Sequence, residues 1–67
     1  MARQIETSDF ERSHGRAPRG TGLWAFVFKF AGHEETRFVP HAMSLTDAKK
    51  WARANAPDWA VEIQVGS

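Results

Sequence analysis

Residues 23–40, LWAFVFKFAGHEETRFVP, decide the fold. In the first half Trp24, Phe26, Phe28 and Phe30 fall on one face of an extended chain, with Leu23, Ala25, Val27 and Lys29 on the other. Strict alternation of this kind defines a strand. GHEE (32–35) follows as a turn in which Gly32 supplies a positive φ, and TRFVP (36–40) reads as a shorter returning strand. Pro40 ends it, and because proline cannot donate to a ladder the second strand is expected at a sheet edge.

On the C-terminal side, Ser44 and Asp47 form an S-x-x-D capping signal before LTDAKKWARAN (45–55), with Asn55 and Pro57 as stop signals. At 100° per residue Leu45, Ala48, Trp51 and Ala52 share one stripe of this helix, and Lys49, Lys50, Arg53 and Thr46 take the opposite side. WAVEIQV (59–65) then alternates again, with Trp59, Val61, Ile63 and Val65 against Ala60, Glu62 and Gln64. The expected fold is α+β: a ββαβ domain over 22–67 with a three-stranded antiparallel sheet in order 2-1-3 and one helix packed on one face.

On the N-terminal side, residues 1–21 show no sustained period, and SHGRAPRGTG (13–22) holds three Gly and one Pro. Such a composition buries too little apolar surface to offset ordering entropy, so a disordered, flexible basic arm is expected there. The net charge of +1 is unevenly placed. Arg12, Arg16 and Arg19 stand in the arm without an acid among them, whereas residues 21–67 balance five basic against five acidic side chains.

Sixty-seven residues without cysteine have neither a disulfide framework nor a thiolate metal site, so the three Trp and five Phe must supply the core. No apolar run is long enough to span a bilayer, and the N-terminal stretch has no apolar signal region; a cytoplasmic protein with no membrane partner is expected. One three-turn helix is too small to cover Trp24, Phe26, Phe28, Phe30, Phe38, Trp59, Val61 and Ile63 together. The surplus predicts either a covering arm or a homodimer.

Motifs that carry chemistry are incomplete. Gly15 and Gly20 fit G-x-x-x-x-G, but the lysine and the following helix of a phosphate loop are missing. His33, Glu34 and Glu35 lack the second histidine four residues on that a zinc protease needs, and the Ser13–His14 pair lacks a rigid setting and an orienting group. No catalytic residue, cofactor or metal is therefore expected, and the chain reads as a non-enzymatic interaction module.

Two surfaces remain as candidates. The open sheet face, with Leu23, Ala25, Val27 and Val39 ringed by Lys29, Arg37, Glu62 and Gln64, suits a protein contact; Arg16, Arg19, Val27, Lys29, Arg37 and Val39 are its expected partner-binding residues. The alternative is nucleic-acid binding through Arg12, Arg16, Arg19, Lys49, Lys50 and Arg53, which could track a phosphate backbone.

HGRAPRGTGLWAF (14–26) followed by SLTDAKKWARA (44–54) resembles short proteins of temperate phages and other mobile elements. That company includes small anti-CRISPR-type inhibitors, which act by occupying surfaces. The resemblance implies a binder of a host protein or nucleoprotein, with no functional residue to carry over.

Overall fold

In a computed structural model, which describes residues 4–66, eight short elements form a small α+β unit. They are β1 (Ile5–Glu6), α1 (Ser8–His14), β2 (Thr21–Gly22), β3 (Ala25–Phe30), β4 (His33–Phe38), β5 (Met43–Ser44), α2 (Leu45–Asn55) and β6 (Glu62–Val65). The main sheet has the order β1-β6-β3-β4, and β2 pairs with β5 in a separate two-stranded ladder.

The expected three-stranded antiparallel layout is corrected by this sheet, which has four strands and is mixed. β3 pairs antiparallel with both β4 and β6, and β1 adds on the far side of β6 in parallel register, Ile5 opposite Ile63. The single-helix layout is corrected as well. Ser8–His14 is helical where a disordered arm was expected, and Ile5 and Phe10 are buried in the same cluster as Trp24. The part of the arm expectation that concerns residues 1–3 lies outside the described residues.

Long-range contacts explain why α1 forms without a periodic sequence. Its N-cap residue Thr7 makes no side-chain cap bond; instead the Oε1 of Gln64, in β6, accepts from the Asp9 backbone N–H at 3.2 Å. One of the helix's unpaired N-terminal donors is thereby satisfied from the opposite end of the chain. At the other end Gly15 adopts φ 72° and returns its N–H to the Glu11 carbonyl at 2.8 Å, an αL stop that glycine adopts without steric cost.

The hairpin differs from expectation at its turn. Phe30 pairs with His33, so only Ala31 and Gly32 connect the strands, both at positive φ (48° and 85°), as a type I′ connection requires. β4 therefore begins at His33 instead of Thr36. Because side chains alternate, its register puts Glu35 and Arg37 on the face of Phe26 and Phe28, and turns Phe38 to the face of Ala25 and Val27. Phe38, expected in the core, is 63% exposed, and Val39, expected on the open face, is 4% exposed.

The core lies between the sheet and α2. Phe26, Phe28, Ile63 and Val65 are fully buried, with Ala48 and Ala52 of α2 lying against them. Two alanines let this helix approach large rings closely, and Trp51 meets Phe26 with centroids 6.4 Å apart. The Ser44 hydroxyl accepts from the Asp47 N–H at 3.2 Å, as the capping signal predicts. α2 ends without a glycine; Arg37 Nη1 donates to the Asn55 carbonyl at 2.9 Å and so caps the negative end of its dipole. Phe30 and Val61, also expected inside, are exposed beside the hairpin turn.

Candidate interaction surface

The six expected partner-binding residues do not form one surface. Val39 is a core residue, its N–H bonded to the Trp24 carbonyl at 2.9 Å, and is corrected out of any docking face. Arg37 lies on the helix side of the sheet, where its guanidinium pairs with Glu35, caps α2 and sits 5.7 Å above the Phe28 ring. It is a structural tie, including a cation–π contact. Lys29 does lie on the Val27 face, but its Nζ is 2.7 Å from Asp9 Oδ2 and 3.6 Å from Glu34 Oε1.

The Asp9–Lys29 pair joins α1 to β3. The hydrogen bond to Lys29 outweighs partial burial and holds the Asp9 carboxyl below its ordinary value, while the same bond holds the Lys29 ammonium above its own. Next to it Gln64 is 4% exposed and fully engaged, contacting Ser8 and the Asp9 N–H and donating to Glu62 at 2.6 Å. α1 thus occupies part of the face that was expected to be open.

On that face Glu34, Thr36 and Glu62 are exposed and polar, and the accessible side chains at the Ala25 end are apolar. Val27 is half-buried, Phe38 stands opposite Ala25 on the same side, and Leu23, just before β3, is 62% exposed. Leu23 belongs to the face expected to be open, though not to the six residues expected to bind, and Phe38 was expected in the core. Ala31-Gly32, a dipeptide with glycine at the second position of a two-residue turn, was the signal that could have placed Phe38 outside.

The six basic residues of the nucleic-acid alternative are also dispersed. Arg12 is on α1, 3.7 Å from Asp9, and Arg16 is exposed in the loop that follows. Lys50 and Arg53 lie on exposed positions of α2. Arg19 and Lys49 alone converge, lining a groove of about 290 Å³ with Pro18, Gly20, Thr21 and Thr46. Its walls are held by the Gly20 carbonyl, which accepts from Leu45 N at 3.0 Å and Trp24 Nε1 at 3.2 Å.

The histidines are spread through the structure. His14 stacks on Phe10 at 3.9 Å, His33 meets Trp59 edge-on at 4.5 Å, and His41 Nδ1 lies 3.2 Å from the Ala42 carbonyl. Among the described residues, no three His, Asp or Glu side chains are grouped to hold a metal ion, and no helix is long and apolar enough to cross a membrane. Comparison with protein-family models, curated proteins and solved structures gives no match.

Proposed function

We propose that this chain is a non-enzymatic protein-interaction module whose contact surface is the accessible end of the β3–β4 sheet face, centred on Phe38 with Leu23 and Val27. The observation that carries the reading is the exposure of two large apolar side chains, Phe38 at 63% and Leu23 at 62%, beside a half-buried valine. Phe38 lies opposite Ala25, and Leu23 is two residues before Ala25, so both stand at one end of the strand pair, and a cluster of exposed apolar side chains is a common mark of an interaction surface. The charged neighbours Lys29 and Glu34 form the polar rim that interfaces commonly carry. In line with the resemblance to small phage and mobile-element proteins, the partner proposed is a host protein or nucleoprotein.

Affinity capture from a host lysate, with and without nuclease, tests the reading. Phe38→Asp should leave stability within about 0.5 kcal/mol, because the ring is exposed, yet abolish capture. A nucleic-acid reading is favoured by one observation, the convergence of Arg19 and Lys49 on one groove. It requires capture that nuclease removes, that falls steeply with salt and that Arg19→Ala or Lys49→Ala weakens while Phe38→Asp does not.

A further inference from the structure

β4 forms one edge of the main sheet, and among the described residues no strand pairs with its outer side, which presents a regular row of backbone groups. The phase of that row follows from the hairpin. The two-residue turn makes Phe30–His33 a hydrogen-bonded pair, and such pairs recur every second residue, as the Val39 N–H to Trp24 carbonyl bond of 2.9 Å confirms. Residues 33, 35, 37 and 39 therefore face β3, and the N–H and C=O groups of Glu34, Thr36 and Phe38 face outward. All three residues are exposed.

The charges on this strand discriminate among partners. A second β4 related by a two-fold axis at Thr36 would set Thr36 opposite Thr36, Glu35 opposite Arg37, and Glu34 opposite Phe38. Every outward N–H and C=O from 34 to 38 is then paired. On the helix side of the sheet each Glu35 lies between the Arg37 of its own strand, which it already contacts, and the Arg37 of the other copy. The bonds to Glu35 and to the Asn55 carbonyl engage Nε and Nη1 of that guanidinium, and its planar fork holds further donors.

Other two-fold registers are poorer. Axes at Glu34, Glu35 or Arg37 place like charges face to face, and an axis at Phe38 brings Pro40, which has no N–H, into the ladder. Charged residues on an edge strand ordinarily guard against indiscriminate pairing, and here they leave a single self-complementary arrangement.

We infer that β4 pairs antiparallel with the β4 of a second copy of this chain about a two-fold axis at Thr36, joining two four-stranded sheets into one. The inference goes beyond the proposed sheet-face contact and does not depend on it.

Sedimentation equilibrium of the full chain across a concentration series should show a monomer–dimer equilibrium. Thr36→Pro, which removes an outward N–H and leaves the β3–β4 ladder intact, should weaken association at least tenfold. Since the chain has no cysteine, Thr36→Cys should oxidise to a covalent dimer, the facing Cα atoms being about 5.5 Å apart and within disulfide range. Glu34→Cys alone should not. Glu35→Lys and Arg37→Glu should each dissociate the homodimer and, when mixed, form a heterodimer. A monomer at every concentration overturns the inference. So does a dimer indifferent to Thr36→Pro, or cross-linking of Thr36→Cys no faster than that of Glu34→Cys.

Discussion

The C-terminal two-thirds of the chain and its N-terminal segment reach the same sheet by different physics. β3, β4, α2 and β6 are specified locally: alternating apolar residues, a serine cap, a glycine turn, and a buried set of Phe26, Phe28, Ile63 and Val65. β1 and α1 are specified from a distance. A two-residue parallel pairing, the buried rings of Phe10 and Trp24, a helix cap lent by Gln64 and the Asp9–Lys29 bond hold them. The first region would be recognisable in isolation, whereas the second acquires its structure only where the first provides a surface.

The largest test of that difference is a pair of truncations. Phe26→Ala should cost about 3–5 kcal/mol and, in so small a domain, abolish cooperative folding. Phe10→Ala removes a ring of the same size, but the chain has the option of releasing β1 and α1. Hydrogen exchange should then show protection lost at 5–14 and retained in β3 and β6. Global unfolding by Phe10→Ala would erase the distinction between the regions.

Gln64→Ala should cost about 1 kcal/mol, the ordinary value of a helix cap, and the loss should appear first in the α1 amides. Equal loss across β3 and β4 would mean that Gln64 supports the sheet instead.

A third test sharpens the comparison from the other side. Ala31 adopts φ 48°, which a Cβ disfavours, so Ala31→Asn should stabilise the hairpin by about 0.5–1 kcal/mol in thermal melts. Exchange in α1 relative to the sheet should not change.

The smallest effect concerns pH. The Asp9 carboxyl is held below its ordinary value, so its contribution to docking is present above that ordinary value and is lost as pH falls through the folded one. Lys29 is held above its own value, so the reciprocal contribution persists below the ordinary ammonium value and fades as pH rises through the folded one. Both groups are about a third exposed, which limits the pair to about 1 kcal/mol at most. Asp9→Asn should flatten the acid limb of α1 exchange; an unchanged limb would assign it to other carboxylates.

What could be read in the sequence follows the same division. The α2 helix, its cap, its inner Ala48–Trp51–Ala52 stripe and the strand character of β3 and β6 all leave local periodic signals, and the structure contains them. β1 and α1 leave none, since the donor that Gln64 satisfies lies 55 residues away in sequence. The hairpin lies between these cases. Its strands were legible, but taking GHEE as the turn instead of Ala31-Gly32 displaced the start of β4, and the assigned faces of Arg37, Phe38 and Val39 were reversed. That reversal matters for the candidate surface: it exchanged a core valine and a capping arginine for the exposed Phe38.

The most direct measurement is backbone ¹⁵N relaxation along the whole chain. If Ile5–His14 is an integral part of the sheet and its helical cover, order parameters in β1 and α1 should match those of β3 and β6, near the rigid value of about 0.85. Values below about 0.6 from Ile5 to His14, beside rigid ones from Ala25 to Val65, would show a mobile arm and contradict a four-stranded sheet completed by its N-terminus.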